Sequence, residues 1–99
     1  MFYRVNIIRF EDARFGDLLA WAESVRNQVE SIDGLLFAEI IRTAAGEGIA
    51  MSAYRSEGDY QTAADTVSDV LGQMQAYLKE PPDTYAGPSS ISYPTSQAT

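Results

Sequence analysis

Asn6 stands in the middle of residues 2–10 (FYRVNIIRF), among neighbours that are largely apolar, aromatic or β-branched. A buried amide must find hydrogen-bond partners, so Asn6 either bonds a neighbouring strand or water, or turns toward a phenol or quinone oxygen. Tyr54, in Met51-Ser52-Ala53-Tyr54, shares a strand face with Ser52. Its phenol can orient a substrate hydroxyl or carry a proton; the alternative is an aromatic packed between sheet and helix with its hydroxyl at the rim. Arg4, Arg9, Arg42 and Arg55 are four of six arginines in a chain whose one lysine is Lys79. A guanidinium pairs bidentately with a carboxylate or steadies an enolate-like oxygen, which suits an acidic aromatic ligand. The competing use is ordinary ion pairing with the fourteen acids.

What the chain lacks narrows the chemistry further. It has no cysteine and no histidine, which excludes a disulfide framework, a thiolate nucleophile, Ser-His-Asp and Cys-His constellations, and haem held by a proximal imidazole. The acids cluster at turns (Glu11-Asp12, Glu57-Asp59, Glu80-Asp83), where capping and solubility explain them, so no metal site is expected. A net charge of −7 without a basic tract argues against nucleic acid or an anionic membrane as partner. No window approaches the roughly 18 apolar residues of a membrane span, and the expected location is cytoplasmic.

These side chains need elements to hold them. Residues 2–10 read as a strand with Tyr3, Val5 and Ile7 on one face and Arg4, Asn6 and Ile8 on the other. A helix follows, carried by Phe15, Leu18, Leu19, Ala22, Val25, Val29 and Ile32 at helical spacing, with Trp21 at the flank of the stripe, where it closes an edge. Asp33-Gly34 stops it. Residues 35–43 and 49–55 read as strands joined through Ala44 to Gly48, an antiparallel hairpin. Ser56 caps a second helix in which Tyr60, Ala64, Val67, Leu71, Met74 and Leu78 recur at spacings of four and three. Tyr60 and Met74 on that stripe would line a pocket only if the core leaves one. Glu80-Pro81-Pro82-Asp83 ends the helix, residues 86–93 supply a fourth, edge strand, and residues 94–99 form a frayed polar tail after a single domain spanning 1–93.

The order β-α-β-β-α-β is the ferredoxin-like arrangement of α+β proteins, an antiparallel sheet with two helices on one face. Because the strands carry apolar residues at both parities, the second sheet face also needs cover. A chain this short buries only about 60–65% of its unfolded surface, so a homodimer through that face is expected.

With that order the sequence resembles the antibiotic biosynthesis monooxygenase-like group of the dimeric α+β barrel superfamily, from Phe2 to about Tyr93. The third strand running into the second helix (Ala53-Tyr54-Arg55-Ser56-Glu57-Gly58-Asp59-Tyr60) is similar to the family's aromatic-x-Ser-x-x-x-aromatic junction, and Asp33-Gly34 is similar to its P-G-F turn. The resemblance implies an oxygenase working without metal or organic cofactor on a small, largely apolar aromatic or polyketide-like phenol. Of the family's Asn, Trp and His, Asn6 matches the first, Tyr54 replaces the second, and the third has no counterpart, Ala64 standing at the corresponding turn. Asn6 and Tyr54 are therefore the candidate catalytic residues, and Trp21, Arg55, Tyr60 and Met74 the candidate ligand contacts. A non-catalytic ligand-binding or structural homodimer of the same fold is the alternative.

Overall fold

β1 (Phe2–Arg9) pairs on both sides, antiparallel to β3 (Glu47–Tyr54) and to β4 (Asp83–Pro88), while β2 (Leu35–Ala44) pairs antiparallel with the far side of β3. The computed structural model, which describes residues 1–93, thus has a four-stranded sheet of order β2-β3-β1-β4. This is the ferredoxin-like arrangement that the element order implies. Asn6 sits opposite Ala50 on β3 and Thr84 on β4, so its side chain rises from the centre of the sheet. Even-numbered residues of β1 face the helices: Ile8 packs with Leu18, Trp21, Val70 and Met74 in the larger core cluster. Phe10, just beyond the strand, is fully buried in the same cluster and stacks on Phe15 at 5.2 Å.

Each expected helix is divided. A 3-10 turn at Asp12–Arg14 precedes α1 (Phe15–Ser24), and α2 (Arg26–Glu30) follows after Val25. Ser56 accepts the Asp59 N–H at 3.1 Å to cap α3 (Glu57–Thr62), and α4 (Ala64–Met74) continues after Ala63 into a 3-10 turn at Gln75–Tyr77. Val25 and Ala63 have ψ values of 8° and −7°, yet backbone bonds still cross both bends (Val29 N–H to Val25 C=O, Val67 N–H to Ala63 C=O). The apolar stripe runs unbroken through each bend, which is why periodicity alone reads one helix. Ala63 is buried with Tyr54 and Val67, so the bend lies where the helix presses on the sheet.

β4 corrects an expectation. It spans Asp83–Pro88 rather than residues 86–93. Pairing with β1 decides the register: Thr84 meets Asn6, Tyr85 meets Val5, and Asp83 takes an ion pair from Arg9 at 3.1 Å. Pro88, lacking an N–H, closes the strand on the sheet's outer edge. The hairpin turn is also tighter than expected, only Ala45 and Gly46 standing between the paired Ala44 and Glu47, and Gly46 takes a φ of +75°. The expected tail, residues 94–99, lies outside the described residues.

The other sheet face carries Tyr3, Val5, Ile7, Phe37, Ile49 and Met51, with Tyr3 and Phe37 meeting edge-on at 6.4 Å. No helix among the described residues packs there, and Ile41 and Tyr85 are largely exposed. Among the described residues no helix is long and apolar enough to cross a membrane.

Asp12 ties the start of the first helical region to the hairpin. It accepts three bonds from Arg42, at 2.8, 3.0 and 3.2 Å, and one from the Gly46 N–H at 2.9 Å. The Arg42 guanidinium, helped by that N–H, holds the Asp12 carboxyl below its usual range. A carboxyl whose pKa is lower folded than unfolded adds stability above its unfolded pKa and loses it as pH falls through the folded one. We expect the urea midpoint to drop from about pH 4 downward, and Asp12→Asn to flatten that limb. An unchanged acid limb in the variant would show that Asp12 does not contribute.

Candidate functional site

A cavity of about 710 Å³ lies between the sheet and the helices, opening beside α1, α2 and the edge strand β2. Its walls are mainly apolar, among them Val29, Ile40, Val67 and Leu71, and its floor carries a polar strip of Arg4 and Asn6 from β1 with Ser52 and Tyr54 from β3. The strip follows from register: Arg4 pairs with Ser52 and Asn6 with Ala50, so all four side chains share the helix-facing side.

Asn6 is 3% exposed. One side-chain N–H donates to the Ala50 carbonyl at 3.1 Å, and its own carbonyl accepts from the Thr84 hydroxyl at 2.7 Å. Two strands therefore fix the amide, and the second N–H has no protein acceptor among the described residues. Tyr54 is 1% exposed, and its oxygen accepts from the Ser52 hydroxyl at 3.2 Å. That bond uses a lone pair and leaves the phenolic proton to be donated elsewhere. Two neutral donors with spare protons thus border one largely apolar space.

Trp21 and Met74 also line the cavity, and the Trp21 indole N–H is turned to Gln73 at 3.4 Å. Tyr60 stands behind the wall, against Phe2 at 4.7 Å and Tyr54 at 5.5 Å. Arg55 lies outside the lining, where it pairs with Asp33 at 3.3 Å and Asp59 at 3.2 Å. It joins the two local stretches that carry the family resemblance, an assembly that spacing along the chain does not reveal. Of the six candidate residues, the structure brings Asn6, Tyr54, Trp21 and Met74 to one cavity, places Tyr60 behind it and sets Arg55 apart.

Arg4, one of the four arginines weighed for an acidic aromatic ligand against ordinary ion pairing, joins the lining together with Ser52, which the sequence did not single out. The signal was parity: Arg4 shares the inward face of β1 with Asn6. At the mouth, Arg26 is bound by both Glu23 and Glu30, which keeps Glu23 ionised below its usual range and Arg26 firmly protonated. Among the described residues no group of three or more His, Cys, Asp or Glu is placed to hold a metal ion.

No family model matches the sequence. No curated protein matches it either. Solved structures do match. A monooxygenase of Streptomyces coelicolor in complex with nanaomycin D superposes with a TM-score of 0.75 at 18% identity, over 95% of this chain and 92% of the other. A Caulobacter crescentus protein provisionally named an antibiotic biosynthesis monooxygenase gives 0.74 at 14% identity, over 91% and 90%. A Nitrosomonas europaea protein of unknown function gives 0.74 at 10% identity, over 92% and 90%. At such identities the likeness is one of backbone, so the chain has the ferredoxin-like α+β fold found in antibiotic biosynthesis monooxygenase structures.

Proposed function

We propose that the protein is a cofactor-free monooxygenase-like enzyme acting on a small aromatic or polyketide-like phenol held between the sheet and the helices. The observation that carries this reading is the convergence of Asn6 and Tyr54, each with a proton to spare, on a cavity of about 710 Å³, well within the range of small-molecule sites. In such a reaction an anthrone-type phenolate reduces dioxygen directly. A ring CH₂ becomes a carbonyl, the second oxygen atom leaves as water, and the substrate supplies all four electrons. Asn6 and Tyr54 donate to the oxygen on which charge develops, and the apolar walls keep bulk water from competing.

The test is aerobic incubation with a panel of anthrone-type and hydroquinone substrates while oxygen uptake is followed. Asn6→Ala is expected to reduce the rate by about 100-fold, as loss of one oxyanion donor commonly does. Uptake that Asn6→Ala leaves unchanged would remove Asn6 from the reaction. Binding of these compounds without any uptake would favour the non-catalytic ligand-binding alternative.

The functional unit we propose is a homodimer joined through the apolar sheet face of Tyr3, Val5, Ile7 and Phe37. That face is too apolar to be left in water. Sedimentation at micromolar concentration should show a dimer, and a stable monomer would overturn this assignment.

A further inference from the structure

Arg4 differs from the other arginines. Arg9, Arg14, Arg26, Arg42 and Arg55 each pair with a carboxylate, whereas Arg4 pairs with none among the described residues. Its Nε is buried and has no hydrogen-bond partner. A charged donor left bare in apolar surroundings is costly, and it is kept where something else supplies the acceptor. The guanidinium lies over the Tyr60 ring, 4.9 Å from its centroid. A ring face supplies no lone-pair acceptor of the usual kind, so the Nε N–H still wants one, which a ligand can bring.

We propose that Arg4 holds the anionic oxygen of the aromatic ligand and drives its ionisation in the cavity, the task an imidazole base would otherwise perform. The inference rests on the phenolic reading above. In the step itself the phenol O–H bond breaks, the electron pair stays on oxygen, and the proton passes to water at the cavity mouth. No electrons change hands. The surroundings favour the anion because the other charges are spoken for. Tyr54 on β3 and Tyr60 on α3 are its aromatic neighbours, Glu23 and Glu30 at the mouth are paired with Arg26, and Glu39, though its strand edges the cavity, is turned by its register with Met51 so that its side chain leaves from the opposite sheet face. An apolar cavity alone would raise a phenol's pKa; a cation within about 4–6 Å of the oxygen lowers it by about one to three pH units.

The probe is 4-nitro-1-naphthol, whose anion absorbs at longer wavelength than the phenol, titrated with the full chain without dioxygen across a pH series. Bound to the wild type, it should ionise at least about tenfold more readily than in water. Arg4→Gln should bring ionisation back to the free value or above it, and Arg4→Lys, which keeps the charge, should retain most of the gain. Trp21 emission and thermal melting check that each variant is folded. Should Arg4→Gln fail to fold, the methyl ether of the probe decides: wild-type affinity must rise with pH for the naphthol and stay level for the ether. The proposal is overturned if the bound naphthol ionises no more readily than the free one, if the gain survives Arg4→Gln, if the naphthol does not bind, or if only 1-naphthoate binds through Arg4. The last result would assign Arg4 to a carboxylate. Because the titration needs no turnover, a bound naphtholate with no oxygen uptake overturns the monooxygenase reading alone. Uptake without ionisation that depends on Arg4 overturns this inference alone.

Discussion

Gly34→Ala is expected to destabilise the protein by about 2–5 kcal/mol, lowering its melting temperature by roughly 10–40 °C. Two costs combine. Gly34 has a φ of +83°, a left-handed backbone in which a Cβ crowds the following carbonyl. A Cβ there would also stand 2.4 Å from Asp59 Cγ and 2.5 Å from Asp59 Cβ. Asp59 is not free to move aside: Ser56 holds its backbone N–H at 3.1 Å and Arg55 holds its carboxylate at 3.2 Å. Arg55 is itself anchored by donating its backbone N–H to the Gly34 carbonyl at 3.0 Å. In an Asp59→Gly background the overlap disappears, and Gly34→Ala should then cost only the backbone strain of about 1–2 kcal/mol. Urea midpoints of the four proteins give the coupling directly. Equal costs in both backgrounds would remove the Asp59 contact from the explanation.

That junction shows what could be read from the chain and what could not. Ser56 as a cap was legible because it acts on its own backbone within a few residues, whereas the first helical region ends at Glu30, before the expected stop at Asp33-Gly34, which instead forms the turn into β2. The alternation along residues 2–10 likewise placed Arg4, Asn6 and Ile8 on one side of β1, and the element order implied the sheet. What the sequence did not show is that Asp33 and Asp59 meet across the fold and claim Arg55 between them. A guanidinium's partner is chosen by tertiary distance, and fourteen acids offered many. The same ambiguity hid what sets Arg4 apart from the other arginines, that no carboxylate among the described residues pairs with it.

The misread fourth strand has a related cause. Thr84 and Tyr85 suit a strand, but they follow Pro81-Pro82-Asp83, which reads locally as a stop. Only the ladder with β1 makes Asp83 the first residue of the strand, and it places the Thr84 hydroxyl on Asn6. A local rule lost to a nonlocal pairing, and the element so displaced holds the candidate amide in position.

Ala22→Phe is expected to reduce binding and turnover of any substrate in the cavity by about 100-fold or more while leaving stability unchanged or raised by about 1 kcal/mol. Ala22 lies on α1, on the cavity wall and against the main core cluster. A ring added there reaches into the space over the polar strip. Protein interiors are close-packed, with few voids larger than a water molecule, so about 710 Å³ left open between sheet and helices forgoes burial that larger side chains at Ala22 or Ala50 would supply. If the space serves a ligand, filling it should trade function for stability. If it is only loose packing, the variant should gain stability and lose nothing. Melting temperature and 4-nitro-1-naphthol binding, measured on the same preparation, separate the two. Binding that persists at wild-type strength would place the ligand outside the cavity. A fall of more than about 10 °C, which is well over 1 kcal/mol, would show that the helices close over less room than the geometry implies.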